Sequence, residues 1–431
     1  MIDSAGFSLS DEQQALYDAI ETTREHIFVT GRAGTGKSTL LNHLSWNTSK
    51  QLVICAPTGV AALNVGGQTI HSLFRLPIGV IADHEIDQTA DVRKLLNTIE
   101  TLVIDEVSMV NADLLDAIDR ALRQARQRPF EAFGGVQVVL FGDPYQLAPV
   151  PGDADERAYF TDQYRSMWFF DAKVWNDADL RIYELSVIHR QHEEEFKDML
   201  NAVRHGVVTA EIAQRLNETG ARPAPTDGAI TLATRNDTVN SINARSLAAL
   251  PGRTLTARAS ITGDFGGRAF PADDALELKV GARVMFLRND ADQRWVNGSV
   301  GTVTRITSTV FVEIDGTEHE VQPAVWEKFK YSYSPVTKEL KRDIVAEFQQ
   351  FPLRLAWAVT IHKSQGKTYD RAIVDLGQRS FAPGQTYVAL SRITELDGLY
   401  LSRDLRPSDI IVDDDVRRFM EKAQAIPAIR A

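Results

Sequence analysis

The sequence predicts an α/β protein of two lobes, each built on a mostly parallel β sheet covered by helices. At 431 residues the chain is longer than one compact core usually accommodates. Short apolar runs with strand character alternate with amphipathic helical stretches in both halves, which is the pattern of parallel sheets with crossover helices. Residues 300–321 break this pattern, because apolar and polar residues alternate there around an Asp-Gly turn. We therefore expect a small β-barrel or hairpin insert in the second lobe.

The strands predicted for the first lobe share one property, which is that each ends in a polar residue. In parallel α/β sheets ligands collect at the carboxyl ends of the strands, so these ends are expected to converge on one crevice. The runs are HIFVT (residues 26–30), LVICAP (52–57), TLVIDE (101–106) and VQVVLFGD (136–143).

Strand-like runs begin again in the second half and predict the second lobe. They are RIYEL (181–185), AITLATR (229–235), ARVMFL (282–287), LRLAWAVTIH (353–362) and AIVDL (372–376). A further segment, residues 75–97, separates two strands of the first lobe and is too long for a plain connection. The predicted division is 1–74 with 98–180 for the first lobe, 75–97 for a first insert, 181–296 with 351–431 for the second lobe and 297–350 for the β insert.

Composition excludes several classes of protein. The single cysteine, Cys55, excludes an intramolecular disulfide framework and fits a reducing compartment. No apolar run reaches transmembrane length, and the first residues lack the features of a signal or transit peptide, so a cytoplasmic protein without a membrane partner is expected. The net charge of −11 argues against a broad basic face. A nucleic-acid-binding chain of this composition needs a locally basic groove instead.

The segment GRAGTGKS, residues 31–38, follows a predicted strand and leads into the apolar helix TLLNHL. This is the context that a P-loop requires, and it disfavours the alternative of a chance glycine-rich turn. The glycines let backbone N–H groups surround phosphate oxygens, Lys37 reaches the β and γ phosphates, and Ser38 offers a hydroxyl to Mg²⁺. The expected nucleotide contacts are Gly34, Thr35, Gly36, Lys37, Ser38 and Thr39.

Two adjacent carboxylates end the strand TLVIDE. Asp105 is placed to hold Mg²⁺ through water, and Glu106 to orient or deprotonate the water that attacks the γ-phosphate. Most Asp-Glu pairs merely cap a helix or face solvent, so the preceding P-loop and the apolar strand favour the catalytic interpretation. Gln146, in FGDPYQLAPVP, is a candidate to contact the γ-phosphate or the water, although GDP also forms ordinary turns.

Two arginines of the second half complete the predicted site. Arg190 lies in HRQ and Arg392 ends YVALSR. An arginine delivered across a cleft stabilises charge on the transferring phosphoryl group and makes hydrolysis depend on closure of the lobes. Single arginines are mostly surface residues, so only the surrounding motifs favour these two.

A second set of side chains suits a single-stranded DNA track. PTGVAALNVGGQTIHSLF and TIHKSQGKT offer hydroxyls for phosphates and an aromatic face for a base. His71 and His362 equally fit structural histidines, and His189 is interpreted as structural. The candidates are Pro57, Thr58, Thr69, His71, Phe74, Arg235, Asn236, Thr360, His362, Lys363 and Ser364.

In this order the segments resemble the superfamily 1B DNA helicases, and most closely the Pif branch of the RecD/Pif group. The likeness runs from LSDEQQ (9–14) to LDGLYLS (396–402), which is nearly the whole chain. NADLLDAIDRALRQARQ resembles the Pif signature, and LKVGARVMFLRND with VNGSVG resembles the entry to an SH3-like insert. The helicase motifs are matched by GRAGTGKS (I), PTGVAA with GGQTIHSLF (Ia), VIDEVSM (II), GDPYQLAPV (III), HRQ (IV), TIHKSQGKT (V) and TYVALSR (VI).

This resemblance implies two RecA-like P-loop NTPase lobes, 1A and 2A, with a wedge insert 1B and an SH3-like insert 2B. It implies an ATP-dependent, 5′ to 3′ DNA helicase that uses ATP and Mg²⁺ and acts on single-stranded, duplex or fork DNA. Gln13 would recognise adenine, while Gln146, Arg190 and Arg392 would sense or stabilise the γ-phosphate. A bacterial monomer working beside replication or repair proteins is expected. The chain departs from the family, which often has Phe at His189, a bulky apolar residue at Pro144, and Gln or Met at Lys367.

Two other functions stay open at this stage. A nucleotide-gated clamp or sensor on single-stranded DNA needs neither Arg190 nor Arg392. A P-loop ATPase of another class, whose second half binds protein, needs none of the Thr and His residues of the DNA set. For unwinding, the segment RLPIGVI predicts a stiff turn at Pro77 and Gly79 that presents Leu76 or Ile78 to the end base pair. The alternative is a loop packed on the lobe's own core.

Overall fold

The computed structural model describes residues 9–77, 79–82, 86, 89–150, 152–191, 193–225, 229–265, 270–334 and 339–424. Two parallel sheets form the two lobes, and antiparallel strands between residues 255 and 355 form a separate β region. Among the described residues no helix is long and apolar enough to cross a membrane.

The first lobe is built on a six-stranded parallel sheet. Its strands are β1 (Ile27–Gly31), β2 (Leu52–Ala56), β3 (Gln68–Thr69), β4 (Thr101–Ile104), β5 (Gln137–Phe141) and β6 (Arg181–Leu185). The spatial order is β3-β2-β4-β5-β1-β6, so the P-loop strand β1 lies beside β5. Its helices are α1 (Asp11–Thr22), α2 (Lys37–Asn47), α3 (Gly59–Asn64), α4 (Ile70–Phe74), α5 (Ala90–Thr98), α6 (Ala112–Arg126), α7 (Ala154–Gln163) and α8 (Lys173–Asp177), with 3-10 turns at Val107–Met109, Ala132–Gly135 and Phe169–Asp171.

All four strands predicted for this lobe are confirmed, but its sheet contains two more, the short β3 and β6. The prediction that RIYEL opens the second lobe is wrong, since β6 pairs in parallel with β1, from Arg181 opposite Ile27 to Leu185 opposite Gly31. Chain order suggested a new lobe because the strand follows a long helical region. Pairing is decided by which sheet edge is free, and β6 occupies the edge next to β1 with only its last residue buried.

The second lobe has a smaller parallel sheet of four strands. Its elements before the β region are α9 (Glu194–His205), α10 (Ala210–Gly220), β7 (Ile230–Ala233) and α11 (Asn236–Ala249). The predicted strands AITLATR and AIVDL are confirmed as members of this sheet. The elements after the β region are β18 (Ala358–Thr360), β19 (Ala372–Asp375), α12 (Gln385–Leu390), β20 (Leu399–Leu401) and α13 (Asp414–Gln424), with 3-10 turns at His362–Ser364, Leu396–Gly398 and Pro407–Asp409.

The β region contains ten strands of the described chain, all joined by antiparallel pairing. They are β8 (Leu255–Arg258), β9 (Ser260–Gly263), β10 (Ala275–Leu278), β11 (Arg283–Phe286), β12 (Val300–Ile306), β13 (Val310–Ile314), β14 (Thr317–Val321), β15 (Ala324–Ser334), β16 (Glu339–Gln350) and β17 (Leu353–Leu355). One sheet has the order β14-β13-β12-β11-β17, and a long β15–β16 hairpin carries β9 on its edge. The predicted Asp-Gly turn joins β13 to β14, with φ of 49° at Asp315 and 78° at Gly316.

The sheet extends beyond the predicted 297–350 insert on both sides. Strands β11 and β17, which the sequence assigned to the second lobe, pair antiparallel with each other, and β11 also pairs with β12. Val284, Phe286 and Leu353 share one buried cluster with Val303. Both strands are short and mainly apolar, with one arginine each, and such runs look alike whether the strand is parallel or antiparallel. A β region of residues 255–355 describes this pairing better than the predicted boundaries.

The described residues of the segment 75–97 that carry apolar side chains before α5 pack against the first lobe. Leu76 is only 6% exposed, and Ile81 and Ile86 are buried in the same core. The Ile81 N–H donates to Asp113 Oδ2 at 2.8 Å, which ties the segment to α6. The prediction that Leu76 faces the end base pair is therefore wrong for this structure, and the core-loop alternative holds for it; Ile78 lies outside the described residues. Three apolar residues at close spacing gain more by burial than by exposure.

The two lobes share one continuous apolar core, which runs from Phe28 in β1 to Met420 in α13. Helix α13 ends the described chain but docks on the first lobe. Its Phe419 ring stacks on Phe170 with centroids 4.2 Å apart, and Trp168 Nε1 donates to Asp413 Oδ2 at 3.0 Å just before the helix. The lobes are thus held in a defined arrangement, with a cavity between them.

Candidate nucleotide and nucleic-acid sites

A cavity of 630 Å³ lies between the lobes at the carboxyl ends of β1 and β4. It contains every predicted nucleotide contact, and it also contains Gln146 and both predicted arginines. Asp105 is not part of the lining but is adjacent in sequence to Glu106, which is. The lining residues are Leu9, Ser10, Gln13, Ala33, Gly34, Thr35, Gly36, Lys37, Ser38, Thr39, Glu106, Gln146, His189, Arg190, Gly366, Thr368 and Arg392.

The P-loop connects β1 to α2 through two glycines with left-handed backbone conformations. The φ angles are 83° at Gly34 and 79° at Gly36, a region that favours glycine. A Cβ at Gly34 would lie 2.6 Å from Arg190 Cβ, so the second lobe approaches this loop too closely for any side chain there. The loop therefore forms a cradle that depends on glycine both for its turn and for contact with the other lobe.

Lys37 begins α2 and folds back over the loop. Its Nζ donates to the carbonyl oxygens of Gly31 at 2.6 Å and Arg32 at 3.0 Å. Burial lowers the pKa of Lys37 to about 8, while Asp143 and Glu106 oppose this shift. The ammonium thus donates to neutral backbone carbonyls. Charged phosphate oxygens are stronger acceptors for it than these carbonyls are.

The two carboxylates at the end of β4 lie in a region of low dielectric constant. Burial, together with the negative charge of the neighbouring Glu106, raises the pKa of Asp105 to about 7. Burial also raises the pKa of Glu106, against the opposing charges of Lys37 and Arg392. Glu106 has φ 50° and ψ 43°, an uncommon conformation for a residue with a side chain. Such backbone strain is concentrated at functional positions.

The two predicted arginines approach the cavity from the second lobe. Arg190 Nη1 donates to the Ser391 carbonyl at 3.1 Å, and Arg392, only 1% exposed, donates to the Val388 carbonyl at 2.9 Å. Burial lowers the pKa of Arg190 to about 9, and the positive charge of Arg392 adds to the effect. Neither guanidinium has a carboxylate within ion-pair distance among the described residues. Two such cations, Arg392 buried and Arg190 partly buried, suit a polyanionic ligand.

Sequence reasoning missed a buried ion pair behind the cavity. Asp143, in the same loop as Gln146, accepts a 2.9 Å hydrogen bond from Arg204 Nη2 in α9, and both side chains are buried. The Arg204 guanidinium also lies 4.3 Å from the centroid of the Tyr145 ring. Gln146 Nε2 lies 3.5 Å from Asp143 Oδ2. The only signal in the sequence was a charge in the last turn of an amphipathic helix, which normally indicates a solvated residue.

Further contacts bring the second lobe to the loop. The Ala33 N–H donates to Tyr387 Oη at 3.0 Å, and the His189 N–H donates to the Gly34 carbonyl at 2.8 Å. The interpretation of His189 as a structural core histidine is wrong, because its side chain is exposed and lines the cavity. Gln13 lines the cavity nearby, where its Nε2 donates to the Gly36 carbonyl at 3.2 Å. The capping box of Ser10 and Gln13 at the start of α1 fixes that side chain.

A second cavity, of 370 Å³, lies on the other side of Glu106. It joins α3 of the first lobe, the turn after β18 and the β region. Three residues of the predicted DNA set meet in it, namely Thr58, His362 and Lys363. The lining residues are Thr58, Gly59, Val60, Ala61, Leu63, Asn64, Glu106, Met109, Phe270, Pro271, Leu287, Asn297, Trp326, Arg354, His362, Lys363, Gln365 and Lys367.

Other members of the predicted DNA set are placed differently. Phe74 is 1% exposed in the first lobe's core, so its prediction as a stacking surface is wrong for this structure; it shares the buried face of α4 with Ile70 and Leu73. Ser364 is fully buried and donates to the Ile361 carbonyl at 2.7 Å, and Thr360 accepts from the Lys363 N–H at 3.2 Å. These two hydroxyls shape the turn that presents His362 and Lys363.

The remaining members lie outside the second cavity. Thr69 caps α4 by accepting from the Ser72 N–H at 3.2 Å. His71 is partly buried and has a lowered pKa because of that burial, and Pro57 is likewise half-buried. Arg235 and Asn236 are exposed at the start of α11. Exposed groups at these positions are open to a longer ligand, and their role stays a prediction.

The residues present fit Mg²⁺ as a companion of nucleotide phosphates. Ser38 supplies a hydroxyl at the start of α2, and Asp105 supplies a carboxylate at the end of β4. Hydroxyl and carboxylate oxygens are the ligands that Mg²⁺ takes, usually with waters and phosphate oxygens completing its shell.

Comparisons with known proteins agree with this geometry. The chain is 35% identical to the ATP-dependent DNA helicase Pif1 of Bdellovibrio bacteriovorus over 97% of this chain and 93% of that protein. It is also 35% identical to the Mus musculus helicase PIF1, spanning 62% of that longer protein. Bacteroides sp Pif1 in complex with ADP-AlF4 has 36% identity and a TM-score of 0.91 over 97% of this chain and 98% of that one.

The structure of Bacteroides Pif1 bound to single-stranded DNA superposes less well on this chain, although its sequence is equally similar. Its TM-score is 0.71 at 37% identity, over 97% of this chain and 98% of that one. The family description "PIF1-like helicase" matches residues 8–214. The chain therefore belongs to the PIF1-like family of ATP-dependent DNA helicases.

Proposed function

We propose that the chain binds ATP with Mg²⁺ in the inter-lobe cavity, hydrolyses it, and uses the cycle to move along single-stranded DNA from 5′ to 3′ and separate duplex ahead. One observation carries the ATPase part of this proposal. Lys37 and Glu106 of the first lobe line the same cavity as Arg190 and Arg392 of the second. The direction of travel rests on the family resemblance.

In the proposed reaction, phosphate oxygens take the place of the Gly31 and Arg32 carbonyls at Lys37. Glu106 accepts the proton of the attacking water, and Gln146 holds that water in line. Arg190 and Arg392 stabilise the charge that develops on the transferring phosphoryl group. Ser38 and Asp105 would hold Mg²⁺, which would supply positive charge to offset that of the nucleotide phosphates.

Coupling between ATP and DNA is proposed to run through the wall that the two cavities share. Glu106 lines both of them, so movement of β4's end or of the turn at 362–364 affects both ligands. The Bacteroides relative supports a DNA-dependent change in its conformation. Its ADP-AlF4 complex superposes on this chain with a TM-score of 0.91, whereas its complex with single-stranded DNA gives 0.71. We propose that single-stranded DNA likewise rearranges this chain and completes the ATPase site.

The decisive experiment measures ATP turnover with and without oligo-dT, and strand separation on partial duplexes with a 5′ or a 3′ tail. Low basal turnover, strong stimulation by oligo-dT and unwinding of the 5′-tailed substrate are expected. Equal turnover with and without DNA indicates a P-loop ATPase of another class. Stimulated turnover without strand separation indicates a clamp or sensor.

A further inference from the structure

Lys367 is a lysine for which the described residues supply no anionic partner. It lies just after the turn at His362–Ser364 and lines the second cavity. Its Nζ donates to the thioether Sδ of Met285 at 3.0 Å, and no carboxylate of the described chain lies within ion-pair distance. A thioether is a weak acceptor, so most of the ammonium's hydrogen-bonding capacity is unused.

The groups around Lys367 make this part of the cavity basic. Arg354 of β17 and Lys363 line the same cavity, and both disfavour the charged form of Lys367. Among the described residues, Glu106 is the one carboxylate in the lining. Asp273 is outside the lining, and its Oδ1 lies 3.9 Å from Arg354 Nε. Such a cluster is unusual in a chain with a net charge of −11, and it is the locally basic groove that this composition requires.

The cavity also presents an unused neutral donor. Gln365 Nε2 is buried and has no hydrogen-bond partner among the described residues. Buried donors without partners are costly, and each one in a folded protein calls for a ligand, a water or an ion. Ammonium, guanidinium and amide donors that line the same cavity match the oxygens of a phosphodiester.

We propose that Lys367 is a phosphate-binding residue of the single-stranded DNA track, and that it takes up a proton from solvent when a phosphodiester lies against it. This inference rests on the proposed function, because it places DNA in the second cavity. Lys367 then adds affinity by charge, and it makes that affinity depend on pH.

The direction of the pH dependence follows from the surroundings. Burial, with Arg354 and Lys363, lowers the pKa of Lys367 in the free protein to about 7. A phosphate favours the charged form and raises this pKa, so above neutral pH binding requires proton uptake and weakens by up to about tenfold per pH unit. Of the other titratable neighbours, burial lowers the pKa of His362 and raises that of Tyr369, whose hydroxyl also contacts Met285 Sδ at 3.8 Å. Burial also lowers the pKa of Lys363 and raises that of Glu106 in the same cavity, so the comparison of Lys367 variants is what assigns the effect to Lys367.

The test measures fluorescence anisotropy of labelled oligo-dT without nucleotide, at constant ionic strength, between about pH 6 and pH 9. Lys367→Met removes the charge and retains an apolar chain, whereas Lys367→Arg stays charged throughout. At pH 6 we expect Lys367→Met to bind on the order of tenfold more weakly than the native chain, as for loss of a charge-assisted hydrogen bond. The affinities of Lys367→Met and the native chain should become equal near pH 9. Lys367→Arg should bind with little pH dependence.

A salt titration at pH 6 gives a second readout. Loss of one phosphate contact should reduce the slope of log K against log salt by about 0.7. Lys422→Met, on the exposed face of α13, removes a charge away from both cavities and should keep the native pH profile. Thermal melting of each variant shows whether it is folded.

Equal affinity and equal pH dependence of folded Lys367→Met and the native chain would overturn the inference. Failure of the native chain to bind oligo-dT, or to show DNA-stimulated turnover, would instead overturn the proposed function. The two results are therefore distinguishable in the same set of measurements.

Discussion

At the scale of single residues, Glu106 combines three properties that sequence reasoning predicted only in part. Its position after Asp105 was visible in the sequence. Its left-handed backbone, and its place in the wall between two cavities, come from the turn that ends β4. A residue held in strain at such a position is expected to act chemically rather than to stabilise the fold.

Replacing Glu106 with Gln should spare ATP binding and lower turnover by about a hundredfold or more, because the amide retains the volume but accepts no proton. Lys37→Ala is the matched variant and should lose both binding and turnover. Binding of a fluorescent ATP analogue and steady-state phosphate release separate the two effects. Near-normal turnover in Glu106→Gln would place the general base elsewhere.

His26 predicts a pH dependence of stability at a site remote from the cavities. Its Nδ1 accepts from the Val138 N–H at 3.1 Å, and burial lowers its pKa to about 4. The unfolded chain binds a proton near pH 6.5, so this contribution is complete above that pH and is lost as pH falls towards 4, at up to about 1.4 kcal/mol per pH unit. Urea unfolding should show the native chain losing more stability than His26→Gln over that range. Parallel pH profiles would contradict this.

At the scale of elements, the described residues of the segment 75–97, Leu76 and Ile81 among them, favour one of two interpretations. Apolar residues near a turn fit either a wedge against DNA or a packed loop. Hydrogen bonds to α6 favour the packed loop. Asp113 accepts from the Ile81 N–H, and Arg120 Nη2 donates to the Ile81 carbonyl at 3.0 Å. No pattern in the sequence pairs those residues with Ile81.

Replacing residues 76–80 with a Gly/Ser linker should therefore lower thermal stability, DNA-stimulated turnover and strand separation together. Burial of Leu76 alone is worth about 2 kcal/mol or more by comparison with other core leucines. The control is a replacement of the exposed Arg75 by Ala, which should change the melting temperature little. Retained ATPase and melting temperature with lost unwinding would restore the wedge interpretation.

At the scale of the whole molecule, Arg204 and Asp143 link α9 to the loop that carries Gln146. Removing one member of a buried pair leaves the other charge unpaired, so Arg204→Met should lose about 3 to 5 kcal/mol of unfolding free energy. The double variant Arg204→Met with Asp143→Asn should recover a substantial part of that loss. A double-mutant cycle from denaturant unfolding measures the coupling. Additive effects of the two changes would show that the pair is not coupled.

The sequence by itself determined the P-loop and the strand that precedes Asp105 and Glu106. It also singled out Arg190 and Arg392, which line the same cavity. These depend on local patterns, since a strand, a glycine turn and a helix follow each other within one short segment. It also predicted two parallel sheets, because alternating strands and helices permit few other arrangements. The net charge argued only against a broad basic face; it did not predict that Arg354, Lys363 and Lys367 line one cavity.

Only the tertiary structure decided which strands share a sheet, which hydroxyls face a cavity and which charged side chains are removed from solvent. Strand β6 joined the first lobe, β11 and β17 joined the β region, and Phe74 turned into the core. Arg204 and Lys367 look like ordinary surface cations in sequence. Arg204 forms a buried ion pair, whereas Lys367 lines a cavity and has no anionic partner in the part of the chain that the structure describes. These outcomes depend on contacts between residues far apart in the chain, and burial free energy, which decides them, is a property of the packed whole.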